Sequence, residues 1–433
     1  MTAHRAGALT ALSLCAALMV PAVPVHAAPA GSPGLPPVVP RAETAALHDD
    51  AEGGHADADD PAIWRNAADP GRSLVIATAK EGGLRVYDLG ARQVQSLPAP
   101  PPRSPGDAPG RFNNVDLLHG MRLPGGRADL AVVSDRGHDR LRVYRIDRDR
   151  PGGPLTDVTD PAAAPIFSAG QEEINAEETA YGLATWTDRS TGRSYALVSR
   201  NNHTTVALLE ITADGGTVGY RKVRSLDLPA SFRLPDGTSW APCGEPGELP
   251  QIEGMVVDPA DGVLYAGQED VGIWRLRADL RGEPELIDRV REYGVPAVHD
   301  AESDECSPAG ADPGYGGEHL SADVEGLTLL TEPGGDGYVL ASSQGDDSFA
   351  LYDREPGEDN EYEGGFRVTA ASRTLDGAEE CDGAAVLNAP LGARYPNGLL
   401  VVQDGHETPV ADGREATGFT FVDLADVMDA VDD

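Results

Sequence analysis

Lysine is almost missing from this chain: 34 residues are basic, yet only Lys80 and Lys222 are lysines. Against them stand 71 acids, for a formal charge of −37. So acidic a protein lacks the clustered cations that grip a phosphate backbone, which argues against nucleic acid as a partner. It is equally unsuited to an anionic membrane surface. Aromatic residues make up 5%. Beyond the first 25 residues no apolar run is long enough to span a bilayer. Histidines are scattered, and no Cys/His spacing points to zinc. There is no GxSxG elbow, HExxH, Walker loop or GxGxxG after a strand.

What is abundant is turn chemistry, with 51 glycines and 35 prolines, a composition suited to many short strands. The N-terminus carries Arg5, an apolar run from Ala8 to Val25, then His26-Ala27-Ala28. That order reads as a secretory signal over residues 1–27, with Val25 and Ala27 fitting the cleavage pattern. Residues 28–42 read as a Pro-rich exposed leader, and residues 43–433 as one domain. The mature protein is expected to be exported, extracellular and monomeric. Export permits disulfides. Cys243, Cys306 and Cys381 remain after cleavage, so at most one internal bridge forms, and the loop-like surroundings of Cys243 and Cys306 favour that pair.

A pattern recurs six times: an apolar run, a polar tip and a second alternating run. The copies start at Ser73, Asp129, Ser194, Gly262, Gly337 and Asn397, and GFTFVDL from Gly418 returns the last. Upstream of each hairpin an acid- or amide-led segment turns apolar. These are DDPAIW at Asp59, NNVDLL at Asn113, ETAYGLATW at Glu178, IEGMVVD at Ile252, DVEGLTLL at Asp323 and CDGAAVL at Cys381. Six units of strand, connection and hairpin predict an all-β, six-bladed β-propeller; a two-sheet sandwich or a solenoid is the competing architecture.

The propeller has a consequence. The acid-led strand lines the channel and the next strand runs antiparallel, so the start of one and the end of the other share a rim. That rim collects Asp59, Asp60, Asn113, Asn114, Asp116, Glu177, Glu178, Tyr181, Glu253, Asp323, Glu325 and Asp382 from the strand starts. From the strand ends come Lys80, Arg136, Arg200, Asn201, Glu269, Asp270, Gln344, Asp346, Gln403 and Asp404. A lone Asp-Gly is usually a turn; six in-phase copies argue for more. Crowded carboxylates cannot all ionise without compensation, and an oxygen-only set with amides suits Ca²⁺ over Mg²⁺. Calcium beside Lys and Arg would attract phosphate oxyanions and activate water.

DADDPAIW, NNVD, EETAYGL, IEGM, DVEGLT and ASSQGDDSFALY, in this order from about Glu43 to Val427, resemble the β-propeller phytases. The resemblance implies a six-bladed, calcium-dependent enzyme of the 3-phytase type. It would remove phosphate from calcium phytate (myo-inositol hexakisphosphate) at a cleavage subsite beside a phosphate-affinity subsite. It implies that Tyr181, Glu253, Asp323, Glu325 and Asp376 hold cleavage-site calcium, with Glu269 a further acidic ligand. Lys80 and Arg136 would bind the scissile phosphate. Gln344, Asn113 and Asn114 would be polar contacts, and Arg200 a charge for the affinity subsite. Asp60, Asp382 and the Gln403-Asp404 pair would hold a structural calcium in the channel. Two departures stand out. Glu81 follows Lys80 where relatives often have a second lysine, and Arg200-Asn201 stands where they often have Gly-Lys. With no Cys or His placed for a phosphoenzyme, the implied mechanism is direct attack by a calcium-bridged hydroxide. The competing readings are a secreted, calcium-stabilised binding propeller, which explains Lys80 on the acidic rim less well, and a lactonase-type propeller, which usually has fewer carboxylates and often a His.

Overall fold

The computed structural model describes residues 34–50, 55–301, 303, 305–332, 334–354, 359–410 and 414–432. The expected signal segment lies outside them. Six antiparallel sheets account for nearly all the regular structure, and the inner strand of each packs on the inner strands to either side, the sixth on the first. The ring is therefore closed, and the six-bladed propeller holds.

The inner strands are Pro61–Trp64, Phe112–Leu123, Ala180–Thr187, Ile252–Asp258, Val324–Thr331 and Ala384–Leu387. Each acid-led segment of the sequence supplies one. The two strands after it in every blade are the two runs of the recurring hairpin. They form because β-branched and aromatic residues alternate between two buried sheet faces: in Leu74–Thr78 and Leu399–Asp404 every residue is buried. Side chains such as Tyr87, Phe112, Phe349, Phe419 and Phe421 fill the space between blades.

A fourth, outer strand completes each blade and was not anticipated from the sequence. In blade one it is Gln93–Leu97, whose side chains are exposed or half-buried. In blade six it comes from the other end of the chain: Ala42–Glu43 pairs antiparallel with Gly418–Asp423. Just upstream, Pro37–Val38 adds a parallel fifth strand to blade five, beside Arg367 and Val368. The described part of the leader is thus built into two blades and Val38 is buried, contrary to the exposed leader expected. Its prolines are tolerated because they sit at a sheet edge, where no ladder N–H is needed. Arg41 pairs with Asp423 and Asp426 at the C-terminal helix, Leu424–Asp432. No described helix is long and apolar enough to cross a membrane.

Glycine decides how closely the inner strands meet. A Cβ at Gly182 would strike the Glu253 carbonyl, and one at Gly254 would strike the Glu325 carbonyl. Gly326 and Gly383 are confined in the same way by the next blade. Four blades thus repeat a functional side chain followed by a glycine, which brings Tyr181, Glu253, Glu325 and Asp382 around one narrow mouth. Replacing Gly254 by Ala should cost roughly 2–4 kcal/mol, because the Glu325 backbone cannot yield without opening the ring. Urea unfolding would measure this; a wild-type midpoint would show that the inner strands can part.

Two long connections stand on the mouth side, residues 229–250 between blades three and four and residues 290–323 between blades four and five. Each carries a short hairpin, Phe232–Arg233 with Ser239–Trp240 and Ala297–Asp300 with Glu305–Pro308. The bridge Cys243–Cys306 joins them. Closing a loop of 63 residues contributes about 4 kcal/mol in the chain-entropy description. Cys381 is free and buried.

Candidate active site

Strand pairing puts the predicted rim on one face. Phe112 pairs with Asp135, Ala180 with Arg200, Ile252 with Gln268 and Val324 with Ser343. The inner strands of blades two to five share one irregularity. Pairing skips Asn113-Asn114, Tyr181-Gly182, Glu253-Gly254 and Glu325-Gly326. A bulge turns its side chains away from the normal alternation. Here it aims the functional residues into the mouth while the rest of the strand stays in register.

Glu253, Glu269 and Glu325 each bring a carboxylate oxygen within 4.8 Å of the other two, and all three are buried. Glu269 Oε1 and Glu325 Oε2 have no hydrogen-bond partner, nor has either oxygen of Asp59. Oxygens so spaced can all reach one hard cation at about 2.3–2.6 Å. Neighbouring amides hold these groups in place. Asn113 Nδ2 donates to Glu253 Oε1 (2.7 Å), and Gln251 Nε2 donates to Glu269 Oε2 (2.8 Å) and to the Tyr181 hydroxyl (3.3 Å). The donor set fits calcium.

Electrostatics point the same way. Burial, then Asp323 and Glu253, push Glu269 well above the ordinary carboxyl range. Burial, then Glu269 and Glu253, do so for Glu325. Asp59 and Asp60 rise likewise, chiefly by burial. Asp382 is pushed up to about 7 and Asp323 to about 6, again mainly by burial. Asp270, beside Asp323 and Glu292, reaches about 8. Burial and the surrounding acids also keep the Tyr181 phenol protonated. Without a cation this mouth holds protons.

The positive groups occupy the same rim. Lys80 Nζ lies 2.9 Å from Asp57, 3.5 Å from Asp382 and 3.9 Å from Asp59. Gln344 Nε2 donates to the other Asp382 oxygen at 2.8 Å. Arg136 lies over the Tyr181 ring, 5.7 Å from its centroid. It donates through Nε to the Glu177 carbonyl at 3.3 Å, and the Glu177 carboxylate lies 3.7 Å from the same nitrogen. Arg200 donates to the Glu178 carbonyl and lies 3.5 Å from the Glu178 carboxylate. Asp60 accepts from the Val115 N–H beneath Asn114.

Not every expected ligand joins the cluster. Asp376 lies apart from it: its N–H donates to Glu43 and its carboxylate accepts from the Thr408 N–H at 2.7 Å. With Glu43, Asp404 and Glu407 it forms a second acidic group, in which burial raises Asp404 to about 7 and Glu407 to about 8. Asp404 Oδ2 and Glu407 Oε2 are buried without a partner. The anticipated channel set therefore divides. Asp60 and Asp382 belong to the mouth and Asp404 to the second group. Gln403 is spent on structure, accepting from the Asp382 N–H and donating to the Ala58 carbonyl. Neighbours on a strand point to opposite faces, so Gln403 and Asp404 cannot serve one centre.

Asp57, Gln251, Glu292 and Arg111 also stand at this end, beyond the residues that the sequence pattern singles out. Gln251 precedes the IEGM segment, and only the fold brings it against Tyr181 and Glu269. Arg111 pairs with Glu81, so the acid after Lys80 is neutralised locally.

Oxygen donors for a hard cation and nitrogen donors for an oxyanion meet at one end of a closed β-propeller, and that is the class of protein this architecture defines. The chain belongs to the phytase family, whose profile matches residues 6–234 and 248–433. It is 34% identical over 352 residues to the 3-phytase of Bacillus subtilis (strain 168), covering 80% of this chain and 74% of that protein. It is accordingly a phytase enzyme. Among solved structures, regucalcin, a calcium-binding protein from Agrobacterium tumefaciens, aligns with a TM-score of 0.44 at 12% identity over 90% of this chain and 97% of that one. A periplasmic gluconolactonase from Pseudomonas aeruginosa aligns with a TM-score of 0.37 at 16% identity, over 68% and 66%.

Proposed function

We propose that the mouth hydrolyses calcium phytate with calcium held by Glu253, Glu269 and Glu325, supported by Asp323 and Tyr181. The observation that carries this reading is the convergence of three buried carboxylates, two of them with unpartnered oxygens, on the rim that holds Lys80 and Arg136. Calcium, when bound, would lower the pKa of a water and offset charge on the phosphoryl oxygens. Around it, Asn113 fixes the Glu253 carboxylate, and Gln251 fixes Glu269 and the Tyr181 hydroxyl. Lys80 and Arg136 bind the scissile phosphate. Arg200 serves the adjoining phosphate subsite, and Asn114 and Gln344 are further polar contacts for the substrate. Asp57, Asp59 and Asp382 hold Lys80 charged, since these acids raise its pKa against burial. The second acidic group, Glu43, Asp376, Asp404 and Glu407, would hold a further calcium away from the chemistry.

The same reading makes this an exported protein. The basic start, apolar run and small residues before Ala28 support it, as does a disulfide. Its substrate is a small molecule, and we take the working unit to be a single chain.

Phosphate release from calcium phytate should stop in excess chelator and return with added calcium, and p-nitrophenyl phosphate should be turned over far more slowly. Undiminished release in chelator would remove calcium from the reaction while leaving the family assignment intact.

A further inference from the structure

The rim opposite the mouth carries a cavity of about 500 Å³ whose charged lining is Arg72, Arg92, Arg148, Arg394 and one acid, Asp88. Their positions follow from topology. Arg72 lies between the first two strands of blade one, and Arg92 between its last two. Arg148 follows the third strand of blade two, and Arg394 lies between the first two strands of blade six. All four connections leave the sheets at the end remote from Glu253 and Glu325, so the cavity is no part of the active site.

Four arginines border one cavity on a chain with a net charge of −37. The local acids balance only part of that charge. Asp149 pairs with Arg72 at 2.6 Å, and Asp88 pairs with Arg92 at 2.7 Å. Arg148 and Arg394 have no carboxylate partner among the described residues. Arg148 Nε is buried without a hydrogen-bond partner, a costly arrangement for a charged donor unless something accepts from it. Gly90 lines the cavity too, and a Cβ there would meet Asp88 Oδ1 at 3.1 Å and Arg394 Nη1 at 3.4 Å.

We propose that this cavity is a second anion site, built for a small, free, multiply charged phosphate compound. Arginine matches phosphate oxygens through a planar fork of donors, and it stays charged at any physiological pH. The volume falls among ordinary small-molecule sites, about 300–1,000 Å³, and is larger than one phosphate requires. The distant acids do not prevent binding, because charges beyond about 8–10 Å are largely screened at physiological salt. The inference stands on the arginines alone and does not need the calcium reading of the mouth.

The test is titration of the full chain with inorganic pyrophosphate at physiological ionic strength, followed by calorimetry. An Arg148→Ala/Arg394→Ala variant should lose at least tenfold in affinity at one site, with phytate turnover and melting temperature unchanged. Arg148→Gln alone, the milder change, should lose part of that affinity. A Lys80→Ala/Arg136→Ala variant should keep this site while losing turnover. Unaltered pyrophosphate binding in the Arg148→Ala/Arg394→Ala variant overturns the proposal. So does binding that disappears only when Lys80 and Arg136 are replaced. A parallel arm uses vesicles containing phosphatidic acid: sedimentation with vesicles, without pyrophosphate binding in solution, would assign the arginines to a headgroup surface and also overturn it.

Discussion

Replacing Glu325 with Gln should cut the turnover of calcium phytate by roughly 10²–10³-fold, the range seen when one electrostatic contact to a reacting centre is lost. The fold should survive. Glutamine keeps the shape, and the carboxylate it replaces is one whose ionisation the fold opposes: burial, Glu269 and Glu253 all raise its pKa. In chelator the variant should therefore melt no lower than wild type, and its melting temperature should respond less to added calcium. Loss of turnover with an unchanged calcium response would make Glu325 a substrate contact and not a cation ligand. Wild-type turnover would take it out of the site altogether. Glu285→Gln is the control, because that side chain is exposed and only pairs with Arg275; neither quantity should move.

The second large effect is an inversion of the pH dependence of stability by calcium. Five carboxyls carry raised values in the folded chain: Asp323 about 6, Asp382 and Asp404 about 7, Asp270 and Glu407 about 8. Unfolded, they would titrate near 4. Between roughly pH 4 and 8 the folded, calcium-free chain thus binds more protons than the unfolded one. Stability then falls as pH rises. A chelated sample should melt at a lower temperature at pH 8 than at pH 5.5. Calcium reverses the slope, since its ligands must lose their protons to bind, and the cation then stabilises only the folded state. The calcium-induced rise in melting temperature should accordingly be much larger at pH 8 than at pH 5.5. Scanning calorimetry at matched ionic strength measures both. Equal melting temperatures at the two pH values, with and without calcium, would mean that these acids are not coupled to a cation.

Both expectations depend on acids drawn from separate blades. Glu253 and Glu325 are 72 positions apart in the chain (325 − 253); ring closure and the paired bulges make them neighbours. Asp376 shows the opposite case. It precedes the inner strand of blade six, as other acids precede theirs, yet it lies on the connection and turns to Glu43, a residue from the start of the chain. Spacing alone does not separate these outcomes, because an acid before a strand enters the mouth only where the local register aims it there.

By itself the sequence determined the number of blades, the inner three strands of each and the rim on which Lys80, Arg136 and the glutamates stand. Strands buried on both faces need β-branched and aromatic residues, and antiparallel pairing follows from the hairpins, so these features leave a periodic trace. The tertiary structure decided the outer strands, the closure by Ala42–Glu43, the division of the acids into two groups and the arginine cavity on the far rim. Outer strands such as Gln93–Leu97 are half-exposed and leave little apolar pattern. Cation and anion sites are made of side chains that meet only after residues distant in sequence are folded into a ring, and nothing in local composition records that meeting.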